Sequence, residues 1–243
     1  MAKKILFTSL KGGTGVTACC IGVGRALADS GERTLIVDGD TKSGCGVLAG
    51  GCREFQVYTL ADYEKSACRA KQTVIAHPQI SNLHFMPSMG LQNAVAAADA
   101  VKDVDGLFDY ILLDDICREL CDSAIIVTDP YLPSVKSADV CRSELWDSGI
   151  KNLGLIVNKL SASLILSGEI MTAREISALL RLDLKAAIPE DLYLPAGRWR
   201  ANIIKAFELA AENITGKSKT VMNVMRGYGG LNGFFKRKMR EKI

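Results

Sequence analysis

A glycine-rich turn between a predicted strand and a predicted helix is the feature that most limits how this chain can fold. Residues 4–10 (KILFTSL) predict a short buried strand, and residues 17–30 (TACCIGVGRALADS) predict a helix that ends at Gly31. Residues 11–17 (KGGTGVT) join the two. Successive backbone N–H groups of such a turn, together with the N-terminus of the following helix, can hold phosphate oxygens. The turn is therefore a candidate phosphate site, and the alternative is a tight turn with a purely structural role.

Acidic residues follow two further predicted strands. Residues 33–40 (RTLIVDGD) end with Asp38 and Asp40, and residues 108–115 (FDYILLDD) contain Asp114. The carboxyl ends of parallel strands border the ligand crevice of an open α/β sheet. These carboxylates are therefore candidate ligands or reacting groups, and the alternative is a solvated turn.

Strands and helices alternate along the rest of the chain. Further strands are predicted at 83–86, 124–128, 152–158 and 184–188, and further helices at 58–70, 93–102 and 134–148. This alternation predicts a doubly wound α/β fold with a mostly parallel sheet. A length of 243 residues, 48% of them hydrophobic, is sufficient for a full core.

The glycine turn resembles the deviant P-loop of the MinD/ParA family, which reads KGGxGKT. Lys11 matches the family's signature lysine, and Val16 stands where the family has its second lysine. The resemblance implies a P-loop NTPase fold in which Lys11 reaches phosphates across a homodimer and Thr17 holds Mg²⁺. It also implies that ATP or ADP binds along the loop, at Gly12, Gly13, Thr14, Gly15, Val16, Thr17 and Ala18.

The acidic strand ends match the same family. The resemblance implies that Asp38 and Asp40 belong to the first switch region, where Asp40 orients the attacking water and Asp38 approaches the metal. It further implies that Asp114 is the Walker B aspartate, which supports Mg²⁺ beside the terminal phosphate. The family's usual Ser/Pro/Gly switch is replaced after Asp115 by ICRELC.

Two later turns match the family's base pocket. Asn158 stands where MinD-like proteins place an asparagine that hydrogen-bonds the adenine base. Pro189, Glu190 and Asp191 resemble the turn that lines the same pocket, and a proline there ends its strand.

Val16 argues against ordinary hydrolysis. Valine offers no charge to a phosphate, and a hydrogen bond to a charged group is worth about 1.5–3 kcal/mol. We therefore expect nucleotide to bind about tenfold to a hundredfold more weakly than in ordinary members, and hydrolysis to be weak or absent because charge develops in the transition state. Lys42 is one hypothesis for the missing charge. A pseudo-ATPase scaffold that does not depend on nucleotide is the alternative function.

Cysteines suggest a second alternative. The eight cysteines include no CxxC pair and are mostly predicted to be small buried hydrophobic residues. Cys117 and Cys121 lie where related ATPases carry cysteines near the switch. A metal or iron–sulfur carrying ATPase would use these thiolates from two chains.

The composition changes at Gly216. We predict a nucleotide-binding domain over residues 1–215, and a glycine-punctuated linker with a basic amphipathic segment over residues 216–243. The segment 231–243 carries five basic residues and one acidic residue, whereas the whole chain has a net charge of +3. Residues predicted to contact an anionic membrane are Leu231, Phe234, Phe235, Lys236, Arg237, Lys238 and Met239. A helix packed on its own domain, or a disordered basic end, is the alternative.

These observations lead to one functional hypothesis. The chain is expected to be a nucleotide-dependent homodimer with reversible membrane attachment, acting with a protein partner in cell division or intracellular positioning. No apolar run reaches the ~18–20 residues of a membrane span, and the N-terminus leaves no room for a signal peptide. We therefore expect a cytoplasmic protein, reversibly peripheral to the inner face of the cell membrane. The absence of a basic patch outside the tail argues against nucleic acid as a partner.

Overall fold

The computed structural model describes residues 1–44, 46, 51–194 and 198–226. The described strands are β1 Lys3–Thr8, β2 Thr34–Asp38, β3 Ile75–Ala76, β4 Leu83–Met86, β5 Tyr110–Asp114, β6 Ser123–Thr128, β7 Leu153–Leu160 and β8 Asp183–Pro189. They form one sheet in the order β3-β4-β2-β5-β1-β6-β7-β8. The β3–β4 pair is antiparallel and the other pairs are parallel. The predicted doubly wound, mostly parallel α/β fold is confirmed.

Helices cover both faces of the sheet. They are α1 Val16–Asp29, α2 Leu60–Glu64, α3 Ala94–Val104, α4 Leu132–Asp147, α5 Ala162–Leu166, α6 Ala173–Leu180 and α7 Ala201–Thr215. Successive side chains of a strand point to opposite faces. Accordingly Ile5 and Phe7 pack in the cluster under α1 and α7, whereas Leu6 packs in the cluster under α3, α4 and α6. The apolar strands are therefore buried on both sides, as a parallel sheet requires.

The region between β2 and β4 differs from its prediction. The helix predicted over residues 58–70 is limited to α2, which Thr59 caps by accepting a hydrogen bond from the Ala61 amide. Ser66 has a left-handed backbone with φ of 58°. That conformation cannot continue an α-helix, so the apolar spacing beyond it belongs to separate short turns.

The C-terminal segment is described as far as residue 226. Val221 and Val224 pack against the core, and the Asn213 Nδ2 group donates to the Thr220 carbonyl at 2.8 Å. Residues 227–243, which include every predicted membrane contact, lie outside the described residues. The division at residue 216 stays a prediction. Along the part of the chain that is described, no helix has both the length and the apolar character needed to cross a membrane.

A buried ion pair joins the N-terminus to the end of α3. The Lys4 ammonium donates to the Asp105 carboxylate at 2.9 Å, and the two side chains are 7% and 11% exposed. The Ala2 amide donates to the other oxygen of Asp105 at 2.6 Å. Burial raises the pKa of Asp105, but the hydrogen bonds from Lys4 and Ala2 outweigh it, so the pKa lies below its ordinary value.

Asp105→Asn should lower the free energy of unfolding by about 3 kcal/mol at pH 7, because it leaves the Lys4 ammonium buried without its counter-charge. The pKa of Asp105 is lower in the folded than in the unfolded state, so the stabilisation is complete above the unfolded pKa and is lost as the pH falls through the folded pKa. The difference between wild type and variant should therefore shrink below about pH 4.

Urea unfolding at pH 7 and pH 3 measures both effects. Asp99→Asn is the matched control, because Asp99 pairs with Lys102 in an exposed ion pair on the same helix. The control should change stability by less than about 0.5 kcal/mol. An equal loss in the two variants would contradict the contribution assigned to the buried pair.

Candidate functional site

The predicted phosphate loop connects β1 to α1. Gly15 precedes α1 with a left-handed φ of 94°, and no described side chain caps this end of the helix. The first-turn amides of an uncapped helix lack internal acceptors and lie at the positive end of its dipole. The N-terminus of α1 can therefore bind an anion through its backbone N–H groups.

Thr14 supports the same interpretation of the loop. Its side chain is buried, and its Oγ1 atom has no hydrogen-bond partner among the described residues. A buried hydroxyl without a partner costs free energy. This unpaired donor suits a loop built to hold phosphate oxygens.

Val16 contributes to the core rather than to the loop's charge. It is half-buried and packs against the apolar cluster under α1. The first turn of α1 therefore has a packing contact at the position where the family resemblance expects a lysine.

The acidic ends of β2 and β5 lie side by side. Asp38 pairs in register with Asp114, and both side chains are buried. Gly39 makes this possible, since a Cβ atom there would lie 1.9 Å from the Asp114 carbonyl oxygen. The structure thus brings together two carboxylates from strands that are far apart in the sequence.

Asp114 also lies beside the loop. Burial raises the pKa of Asp114 to about 7; a hydrogen bond with Thr17 lowers it, and the nearby Asp38, Asp115 and Asp40 carboxylates raise it. Thr17 and Asp114 are therefore neighbours in the site. Their metal-binding role stays a prediction.

Asp40 organises the turn after β2. Its Oδ1 atom accepts hydrogen bonds from the amides of Lys42 and Ser43 at 3.0 Å each, and its own amide donates to Asp38 Oδ1 at 3.0 Å. The turn is thereby fixed relative to the buried Asp38. Asp40 borders the acidic site, and its proposed effect on water stays a prediction.

The donor set suits Mg²⁺ that arrives with a nucleotide. Within the described ranges, no three His, Cys, Asp or Glu side chains form a group that could hold a metal ion by themselves. Mg²⁺ is typically held by one or two carboxylates together with substrate phosphates and water. A hydroxyl at Thr17 and carboxylates at Asp38 and Asp114 fit that chemistry.

Lys11 is held within its own chain. Its ammonium donates to Ser134 Oγ at 2.6 Å and to Asp129 Oδ2 at 3.4 Å. Both partners lie just beyond β6, Asp129 in the turn and Ser134 in α4. The predicted reach of Lys11 to phosphates across a dimer stays a prediction, and it requires these contacts to open.

The end of β7 contacts the loop from the opposite side. Asn158 donates from Nδ2 to the Thr14 carbonyl at 2.9 Å, and the Lys159 ammonium donates to the Gly13 carbonyl. The adenine-binding role of Asn158 stays a prediction. Sequence reasoning missed the contact of Lys159, because only the fold brings β7 to a loop 146 residues earlier.

The predicted base-pocket turn follows the adjacent strand. Leu160 pairs with Pro189, and the Glu190 amide donates to the Leu160 carbonyl at 2.9 Å. Asp191 accepts from the amides of Tyr193 and Leu194, so it caps its own turn. Asn158 and residues 189–191 thus lie at adjacent strand ends, where a base pocket could form.

The surroundings of Cys117 and Cys121 disfavour the thiolate form that a metal ligand needs. Cys117 packs in the core, and burial raises its pKa to about 12. Burial also raises the pKa of Cys121. A metal site needs deprotonated thiols, so these surroundings offer no support for the metal or iron–sulfur alternative.

Gly15→Ala should destabilise the protein through both strain and collision. An added Cβ atom would lie 2.3 Å from Asn158 Nδ2, in a backbone conformation that costs a non-glycine residue about 1–2 kcal/mol. Gly31→Ala is the matched control: Gly31 has φ of 98° at the other end of α1, with open space around its Cβ position. Gly31→Ala should therefore show the strain alone.

A double-mutant cycle with Asn158→Ala isolates the collision. In urea unfolding, Gly15→Ala should cost about 1 kcal/mol more in the wild-type background than in the Asn158→Ala background. Additive effects would show that the loop does not depend on close contact with β7.

The sequence is similar to those of known proteins over most of its length. Curated proteins named septum site-determining protein MinD align with this chain at 24–29% identity. One of them, from Thermotoga maritima, is 27% identical over 248 residues, which span 92% of this chain and 92% of the relative. No protein-family model matches the chain.

Solved structures share the fold. A chain of the MinC:MinD cell division protein complex of Aquifex aeolicus superposes with a TM-score of 0.83 at 22% identity, covering 91% of this chain and 99% of that chain. MinD of Pyrococcus horikoshii, complexed with Mg-ADP, has a TM-score of 0.78 at 22% identity and covers 90% and 99%. The chain is therefore similar in sequence to MinD proteins, and it shares the fold of the MinD structures.

Proposed function

We propose that this chain is a nucleotide-dependent organising protein that binds ATP or ADP with Mg²⁺ and hydrolyses ATP weakly or not at all. One observation carries the proposal: Thr17, in the uncapped first turn of α1, neighbours the buried Asp114, which lies in register with Asp38. Anion donors and cation ligands thus meet in one site. The Mg-ADP bound to the Pyrococcus horikoshii relative supports the same ligand class.

Different groups of the site bind the anionic phosphates and the cation. Backbone amides of the loop bind phosphate oxygens, and Thr17, Asp38 and Asp114 hold the metal. Mg²⁺ supplies charge neutralisation between phosphate groups when it is bound. Asp40, fixed by the turn that it organises, orients water at the edge of the site.

Val16 accounts for the weak hydrolysis. A P-loop lysine stabilises the charge that builds up on the terminal phosphate in the transition state. Here that position holds a side chain packed on the core. Binding through the backbone survives this replacement better than turnover does, because backbone donors act on the ground state as well.

Nucleotide binding is proposed to control a homodimer. Lys11 is half-exposed and bound to Asp129 and Ser134, so its release would allow it to reach phosphates in a second copy. The basic segment 231–243 would attach the dimer reversibly to the inner face of the cell membrane, because two weak anchors bind far more strongly than one. The complex of Aquifex aeolicus MinD with MinC supports a protein partner for this chain.

The second candidate is a scaffold that does not depend on nucleotide. Val16 is the observation that favours it, since its packing gives the position a purely structural use. The two candidates differ in a single measurable property, the affinity of the native chain for Mg-nucleotide.

Val16→Lys should raise the affinity for Mg-ATP by about tenfold to a hundredfold, because it returns a charged hydrogen-bond donor to the loop. Calorimetric titration of ATP and ADP into wild type and variant measures the effect. Val16→Met is the control, since it lengthens the side chain without adding charge. Failure of both wild type and Val16→Lys to bind, with the protein folded, would favour the scaffold.

Deleting residues 234–243 should abolish binding to vesicles that contain anionic lipid, since it removes both aromatic side chains and all five tail cations. Vesicle sedimentation with and without Mg-ATP measures the binding. The paired substitution of Phe234 and Phe235 by Ser keeps the charge and should weaken binding strongly. Undiminished sedimentation of the deleted chain would rule out the tail as the anchor.

A further inference from the structure

We infer that Lys159 is a phosphate-binding residue that supplies, from β7, the positive charge that Val16 does not supply from the loop. The inference rests on the proposed nucleotide site, and it adds a residue to which the family resemblance gave no role. The observation that supports it is the hydrogen bond from the Lys159 ammonium to the carbonyl of Gly13, a residue of the glycine turn.

The backbone of Lys159 is arranged for this contact. Its φ of 56° is left-handed, a conformation that is uncommon for lysine and costs about 1–2 kcal/mol. The β7–β8 pairing is irregular between Val157 and Leu160, so Asn158 and Lys159 depart from the regular ladder. The irregularity turns both side chains to the loop, Asn158 to Thr14 and Lys159 to Gly13.

The ammonium has capacity left for an anion. Lysine carries three N–H donors, and among the described residues only the Gly13 carbonyl accepts one from Lys159. The residue is exposed, so the remaining donors are accessible to a ligand in solution. An ammonium resting on a loop carbonyl can therefore bind a phosphate oxygen held by the same loop.

Other cations near the loop are placed less well. Lys11 is engaged by Ser134 and Asp129. Lys42, the earlier hypothesis for the missing charge, contacts Asp40 through its backbone amide, and its ammonium makes no hydrogen bond or ion pair to a described residue. Among these three lysines, Lys159 is the one whose ammonium donates to the backbone of the glycine turn in the described structure.

Phosphate binding by Lys159 predicts a dependence on ligand charge. Lys159→Gln should lower the affinity for Mg-ATP by about tenfold to a hundredfold, lower that for ADP less, and leave that for AMP nearly unchanged. Lys159→Arg should retain most of the ATP affinity, because it keeps the charge. Lys205→Gln is the control for net charge, since Lys205 is exposed on α7 and paired with Glu208.

The double variant Val16→Lys/Lys159→Gln separates charge supply from a structural clamp. If Lys159 supplies charge, a lysine at position 16 should restore most of the lost ATP affinity, so calorimetry should show strong coupling between the two positions. If Lys159 only holds the loop, Lys159→Gln should weaken ATP, ADP and AMP alike, and the added lysine should not restore the difference.

The outcomes also separate this inference from the proposed function. Nucleotide binding by the wild type that is unchanged in Lys159→Gln, or equally weakened for all three nucleotides, would overturn the role of Lys159 and leave the nucleotide site intact. Absence of binding in both wild type and Val16→Lys would overturn both. Selective loss of ATP affinity, with rescue by Val16→Lys, is the expected result.

Discussion

The site depends on how closely the ends of β2 and β5 pack together. At Gly39 the two strands leave no room for a side chain, because a Cβ atom would lie 1.9 Å from the Asp114 carbonyl oxygen. This approach places Asp38 and Asp114 in register. Two buried carboxylates repel each other and lose hydration, so backbone pairing and the apolar core on both faces of the sheet must hold them in place. The stability of the sheet thus offsets the unfavourable proximity of the two carboxylates at the carboxyl ends of β2 and β5.

The other side of the site is built by β7, two strands away from β1. Asn158 supports the loop through the Thr14 carbonyl, and the same amide leaves no space for a Cβ atom at Gly15. The left-handed Gly15 lies directly before α1, so the contact is made at the start of that helix. The loop is therefore held between the acidic ends of β2 and β5 on one side and the polar end of β7 on the other.

Local signals predicted most of the fold, and long-range contacts account for the rest. The apolar runs of β1, β5 and β6 and the glycine turn before α1 are readable because strand burial and turn chemistry act over a few residues. The short β3 carries no comparable pattern, and α2 is shorter than its apolar spacing because Ser66 turns the chain. Asp38 and Asp114 could be singled out from their strand ends. Lys159 could not, because neither its backbone conformation nor its distance from Gly13 leaves a mark in the sequence.

The charges at the site favour a divalent cation bound together with an anionic ligand. The Asp38, Asp40 and Asp115 carboxylates place negative charge around Asp114, beside the loop. Val16 leaves the loop without the lysine that the resembled P-loop has at this position. A free nucleotide polyanion would be repelled by these carboxylates, whereas a divalent cation is attracted by them and by the phosphates together. Lys159 reaches the loop from the side opposite the carboxylates. A positive charge there can bind phosphate without competing with a cation held by Thr17, Asp38 and Asp114.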